Sequence, residues 1–308
     1  MSLPRLIATS VVRGSDQGQS HGGIFIIDME SGVARQVYDW DRGDIDFSGR
    51  GWDRGLRGIV IDGEDIYVAA SDEIFVFDPQ FNIKRSFRNR YLRHCHEICI
   101  WQRKLFMTST GFDAVIAHDL DEDRTFWGVQ LVCGGDGAFS ARGFDPGKDD
   151  GPAMSQELHI NMIHCDGRGM FVSGRHTGCM IRIAGGQITM AARLPLLVHN
   201  ARPWKEGLLV NDTASDHVRY FWNGGAAGVP VPRYPEEALE MSGVDSSMIA
   251  RQAFGRGLCV IDDDRVAAGS SPSTVSIHDM TRQETVKSVN FSMDVRNAVH
   301  GLAVWPFD

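Results

Sequence analysis

Four histidines, two arginines and one asparagine recur at matching places in this chain. His96, His159, His199 and His300 each open a short apolar run, as do Arg57 and Arg256, and Asn161 lies two residues after His159. Neutral imidazoles brought together from separate rigid segments suit a divalent transition metal (Fe, Mn or Zn). An all-nitrogen ligand set with open positions belongs to catalytic sites rather than closed structural ones. Guanidiniums in the same place match carboxylate oxygens in a two-pronged geometry and would stabilise an enolate or oxyanion forming beside the ion. The residue types therefore predict a metal held by His96, His159, His199 and His300. Arg57 and Arg256 are expected both to bind and to activate a small anionic substrate. In the competing reading, the same ring only hydrogen-bonds to water in a polar channel.

An internal repeat must position these residues. RGIVIDGEDIYVAAS at Arg57, HEICIWQRKLFMTST at His96, HINMIHCDGRGMFVSG at His159, HNARPWKEGLLVND at His199 and RGLCVIDDDRVAAGSS at Arg256 share one plan. Each has a polar opening residue, an apolar strand, a polar turn and a second apolar strand, with a third strand behind it. Val, Ile, Phe and Tyr in short runs between Asp- and Gly-rich turns are hairpin chemistry, without the 3.6-residue period of a helix. The starts are spaced by 39, 63, 40 and 57 residues. A spacing of about 40 residues is one four-stranded propeller blade, and the longer gaps carry insertions. HGLAVWPFD at His300 supplies a lone first strand, and RLIATSV, GGIFIID and ARQVYDW near the N-terminus supply the other three. The expectation is an all-β, six-bladed β-propeller over 1–308 as one domain, its last blade closed from both ends of the chain so that no sheet edge is left at the seam.

Counting back from the second strands sets the register. Arg57, His96, Asn161 and His199 each lie nine residues before an apolar residue (Ile66, Leu105, Met170 and Leu208), and Arg256 lies ten before Val266. His159 falls one pleat above Asn161. The first strands line the channel, so these side chains should converge at one end of it, and His94 could replace His96. His21, His176 and His217 fall in loops on the same face. His176 joins Asn161 and Arg202 as an expected substrate contact, and the residues single out no one general base, with His217 and a ring histidine not holding the metal as the candidates. Asp212 and Asp216 flank the loop before His217, as supports or as turn residues. Irregular stretches at about 41–56, 133–158 and 223–255 all precede a first strand and should cover that face, a common use of long loops. YPEEALEM (234–241) reads as a short helix within the last of these.

Composition narrows the partners. Lys and Arg total 31 against 40 Asp and Glu, a net charge of −9. Such a balance argues against a nucleic-acid track or an anionic membrane surface. No apolar run approaches the roughly 18 residues of a membrane span, and no secretion leader is read at the start. The six cysteines show no CxxC spacing, so buried free thiols and a cytoplasmic location are expected.

LHINMIHCDGRGMFVSG with LLVHNARPWKEGLLVND resembles the LHxN and PHSPRW–x–GxLW motifs of an uncharacterised bacterial six-bladed β-propeller family. The resemblance is concentrated between Leu158 and Asp212, and Val198 and Asn200-Ala201 depart from the pattern. It implies the propeller fold, marks His159, Asn161, His199 and Arg202 as motif positions, and carries no activity. At the level of fold, carotenoid-cleaving oxygenases bind iron through axial histidines, and oligogalacturonate lyase is similar in combining axial histidines, a metal and an arginine. Gluconolactonase-like enzymes use Glu, Asn and Asp around calcium, from which this ring departs. The expected function is a metal-dependent enzyme for a small carboxylate-type substrate, with lyase or isomerase chemistry favoured over an iron-dependent oxygenase. The alternative is a non-catalytic propeller binding a ligand or peptide on its top face.

Overall fold

A computed structural model describes residues 2–16, 18–41, 55–244 and 250–307. The expected repeat becomes six antiparallel sheets arranged in a ring, a six-bladed β-propeller. The innermost strands are Ile59–Asp62, Ile98–Trp101, Ile160–Asp166, His199–Trp204, Arg256–Val260 and Asn297–Val304. Local sequence makes each hairpin. Asp62 pairs with Asp65 across a two-residue turn. The Asp78 carboxylate accepts the amides of Gln80 and Asn82, each at 2.9 Å, the local bonding that makes Asp a turn residue.

The ring closes as the repeat requires. The C-terminal strand Asn297–Val304 runs antiparallel to Arg5–Val12, from Leu6 opposite Val304 to Val12 opposite Asn297. This blade is tied to the next, because the Thr9 hydroxyl donates to the Arg57 carbonyl and accepts from the Gly301 amide at 2.8 Å. A Cβ at position 301 would lie 2.3 Å from the Arg57 oxygen, so only glycine allows this approach.

The apolar core is divided among the six interfaces between blades. Tyr67, Val76, Met107 and Ile116 fill one interface, and Trp40, Phe75, Ile24 and Trp305 fill the interface at the closed blade. Trp40 meets Phe75 edge-on at 4.9 Å between ring centres. Each sheet thus buries both faces against its neighbours, and polar side chains gather at one end of the channel at the centre.

Two of the three insertions, as far as they are described, differ from the expectation of irregular cover, and residues 245–249 of the last lie outside the described residues. Of 41–56, residues 42–54 lie outside the described residues. The 133–158 stretch begins as a hairpin, where Phe139–Phe144 pairs with Arg124–Cys133 and adds a fifth strand to the outer edge of its blade. An outer edge exposes unpaired backbone groups, and an extra strand covers them. Only the return through 145–158 runs inward, across Tyr91, whose hydroxyl accepts the Gly151 amide at 2.8 Å. In 223–255, Gly225–Pro230 is the outer strand and Glu236–Ala238 is a single 3-10 turn in place of the expected longer helix. Among the described residues no helix is long and apolar enough to cross a membrane.

Candidate functional site

The first strands do not keep a simple in-and-out alternation. Their pairing slips by a residue between Ile160 and Met162, between His199 and Arg202 and between Arg256 and Leu258. Bulges of this kind re-aim side chains at the rims of closed sheets. Asn200 and Gly257 sit in the left-handed region at φ 51° and 73° within two of these slips. Consecutive residues can then both face the channel, as His199 and Asn200 do.

The upper layer gathers most of the residues expected from spacing. The His96 ring lies 5.3 Å from that of His159 and 5.7 Å from that of His300. Arg57 Nη1 donates to His96 Nε2 at 2.7 Å, and Arg256 Nη1 donates to His300 Nε2. His96, His199, His300, Arg57, Arg256 and Asn161 are all buried, and His159 is half-buried. Asn161 Nδ2 reaches the Val198 carbonyl at 3.3 Å, on the adjoining blade.

A backbone carbonyl and threonines that directly follow the second strands fix the imidazole tautomers. His96 Nδ1 lies 2.7 Å from the His94 carbonyl and 2.8 Å from Thr110 Oγ1. A carbonyl only accepts, so Nδ1 carries the proton and Nε2 presents its lone pair to Arg57. His199 Nδ1 lies 2.8 Å from Thr213 Oγ1, whose own proton goes to the Gly255 carbonyl at 3.1 Å. Nε2 of His199 is therefore also a lone pair, and it meets no protein donor, as is true of Asn161 Oδ1. Thr110 and Thr213 each stand fourteen residues after their histidine, at corresponding points of two blades.

The layer is a field of positive charge around neutral imidazoles. Burial, with Arg57 next for His96 and Arg256 next for His199 and His300, holds these three rings well below the usual histidine range. His159 is lowered to about 3 by burial and then by Arg175. At the rim, Phe254 lies under the guanidiniums of Arg13 at 4.6 Å, Arg256 at 4.7 Å and Arg251 at 5.1 Å, and 5.4 Å from the His199 ring.

Other expected residues lie elsewhere. Arg202 sits lower in the channel, with Nη1 3.4 Å from the Leu258 carbonyl. His217 opens a third strand, where its Nδ1 meets the Ser215 carbonyl at 2.6 Å. His176 is exposed at the rim, 6.1 Å from His159, with Nδ1 on the Glu157 carbonyl at 3.0 Å. Asp212 pairs with Arg219 at 3.0 Å, and Asp216 holds both Arg233 and Arg251 at 2.7 Å, so both aspartates serve the loops. His94 supplies its carbonyl to His96.

Thr110, Thr213, Phe254, Arg175 and Glu97 are not marked by spacing along the chain. Glu97 follows His96 directly and accepts from Asn200 Nδ2 at 2.8 Å. Asn200 in turn accepts the Gly257 amide at 3.0 Å, making a polar floor below the imidazoles. Burial raises Glu97 to about 7. The signals were present as Thr at matching distances after His and as polar residues directly after His96 and His199, but only the contacts between blades give them meaning.

Among the described residues no group of three or more His, Cys, Asp or Glu is disposed to hold a metal ion. The Nε2 lone pairs of His96 and His300 accept from guanidiniums, so these two rings do not present a ligand set as they stand.

No family model matches the chain, and no curated protein matches it. Among solved structures it is similar to one from a nidogen/laminin complex, with a TM-score of 0.59, 10% identity and 97% of each chain covered. A protein of unknown function from Bacteroides caccae gives 0.57 at 10% identity, covering 97% of this chain and 98% of that one. The C-terminal WD40 domain of Sif2 gives 0.51 at 10% identity, covering 96% and 90%. Likeness at this identity shows the fold and nothing of the chemistry: the chain is a six-bladed β-propeller.

Proposed function

We propose that the upper channel binds a small anionic molecule that carries a carboxylate and a hydroxyl or amine donor. The observation that carries this reading is the pairing of two guanidiniums with neutral imidazoles in one buried layer, Arg57 on His96 and Arg256 on His300. A carboxylate offered to that layer meets two oriented, charge-assisted donors. His199 Nε2 and Asn161 Oδ1 are acceptors, so the complementary ligand group is a donor placed beside the carboxylate. A small hydroxy acid satisfies both demands.

The arrangement supports lyase or isomerase chemistry next to a carboxylate, because Arg57 and Arg256 would stabilise an enolate-like intermediate. Bound negative charge would offset the field that depresses the histidines and return half-buried His159 toward the range of a working base. A divalent transition metal (Fe, Mn or Zn) is a second reading, favoured by His199 alone. Its Nδ1–H is fixed by Thr213 and its Nε2 lone pair faces no protein donor, as in metal-ligating histidines. We also place the chain with the bacterial propellers bearing LHxN and PHSPRW-type motifs, since His159, Asn161 and His199 of that stretch gather in the layer. A cytoplasmic location is supported by six free cysteines.

The test is a thermal-shift and calorimetric comparison of small hydroxycarboxylates with their amides, on wild type and on the Arg57→Met/Arg256→Met double variant. Stabilisation by the acids alone, lost in the variant, supports the site; equal stabilisation by amides, or its survival in the variant, overturns it. Solvent deuterium entering the bound acid next to its carboxylate marks an enzyme. Binding without exchange or turnover favours the non-catalytic propeller. Elemental analysis of tag-free protein decides the metal reading, since near-stoichiometric Fe, Mn or Zn lost in His199→Ala supports it and metal-free protein ends it.

A further inference from the structure

Below the polar floor the channel opens into a second chamber of about 460 Å³, lined among others by Glu97, Cys99, His164, Cys165, Arg202 and Cys259. Three of the chain's six free cysteines face this one space. They stand on the first strands of three blades, but their surroundings differ. Cys99 and Cys165 lie on neighbouring blades, on Ile98–Trp101 and Ile160–Asp166, and both face the chamber, where Cys165 is near enough to act on the Cys99 sulfur and the Cys99 thiol lies 3.8 Å from the Ile100 carbonyl. Arg202 lies between blades in the same chamber, and its Nε meets no protein acceptor.

The chamber's electrostatics separate the three thiols. Cys165, opposed by burial and aided by Arg202, lowers Cys99. Cys99, with burial, raises Cys165. Burial pushes Cys259 up to about 12. A thiolate next to a cation and a second thiol is the arrangement of a reactive cysteine with a resolving partner.

We propose that Cys99 and Cys165 form a hydroperoxide-reactive dithiol in the lower chamber, with Cys99 attacking, Cys165 resolving and Arg202 positioning the attacking thiolate. The Cys99 sulfur attacks the terminal peroxide oxygen; an S–O bond forms and the O–O bond breaks. The departing alkoxide, or hydroxide from hydrogen peroxide, takes up the proton that Cys99 released on ionising. Cys165 sulfur then attacks the sulfenic sulfur, forming the S–S bond and breaking S–O, while its proton leaves with hydroxide as water. Two thiols are oxidised by two electrons, and the peroxide is reduced to an alcohol and water. The proposal is independent of the anion site above, since it uses none of its residues.

The experiment treats the reduced full-length protein with hydrogen peroxide, blocks remaining thiols with an alkylating agent and maps the peptides. The expected result is a Cys99–Cys165 cross-link, with Cys259 still alkylated. In Cys165→Ser the sulfenic acid on Cys99 persists and is trapped by a cyclic 1,3-dione, whereas in Cys99→Ser Cys165 stays reduced. Arg202→Met moves the pH midpoint of Cys99 alkylation upward and slows peroxide consumption about tenfold, and Arg202→Lys restores part of both. Wild-type Cys99 that stays fully alkylatable after peroxide treatment overturns the proposal, as does oxidation of Cys133 or Cys259 at the same rate. The wild-type peptide map decides these outcomes even where a variant fails to fold.

Discussion

The upper layer and the lower chamber lie on the same six strands, only a few residues apart, yet they hold opposite kinds of chemistry. Above, neutral imidazoles accept from guanidiniums. Below, a protonatable carboxyl and thiols surround the half-buried Arg202. The spacing is regular. Cys99, Arg202 and Cys259 each follow a layer residue (His96, His199, Arg256) by three positions. The difference teaches that one strand of a propeller can serve two sites at different depths of the channel, and that neither site can be inferred from the other.

Four outcomes would sharpen or break that separation, taken from the largest effect downward. Arg57→Met/Arg256→Met should weaken binding of a small carboxylate at least about 100-fold by calorimetry, since removing one buried charge partner alone costs roughly 2–5 kcal/mol. The same variant should leave Cys99 alkylation unchanged, and a changed rate would merge the two regions.

The next effect is on pH dependence, where the regions pull in opposite directions. Folding lowers the histidines of the layer, so the stability they contribute is complete above about 6.5 and is lost as pH falls toward the folded value, about 3 for His159. Folding raises Glu97 from 4.5 to about 7, so stability is complete below 4.5 and declines as pH rises to about 7. Chemical denaturation of Glu97→Gln should remove the second slope, on the order of 3 kcal/mol across that window, and leave the acid-side slope intact. Wild-type and Glu97→Gln profiles of the same slope between those values would sink the assignment of Glu97 as a buried carboxyl.

Thr213→Val keeps shape but strips the acceptor from His199 Nδ1–H. It should cost about 1–3 kcal/mol in denaturant unfolding, with Cys99 reactivity untouched. The smallest effect is expected for Asp216→Asn at the rim, where the partly exposed pairs with Arg233 and Arg251 contribute up to about 1 kcal/mol each. A large loss of stability there would make the rim part of the site.

Much of the site was legible because a propeller repeats. The count from second strands placed Arg57, His96, Asn161, His199 and Arg256 in one layer, and the structure gathers them there with His300. The count could not place Arg202. It was grouped with the upper residues by motif, but the slip between His199 and Arg202 sends it down the channel. Glu97 and Asn200 were passed over because strict alternation would turn residues next to His96 and His199 away from the axis. The 133–158 insertion was read as loose cover because its hairpin pairs with an edge strand already counted as complete.

Short β-branched runs between Asp- and Gly-rich turns, repeated about every 40 residues, determined the sheets, their number and the closing of the last blade from both ends of the chain. These are local preferences and a periodicity, and both are written along the chain. What sits opposite what was decided only by the tertiary structure: Thr110 and Thr213 setting the imidazole tautomers, Arg57 on His96, Arg256 on His300, and Cys99 against Cys165. Those contacts join different strands or blades, and a one-residue bulge changes them without changing the pattern from which the fold is read.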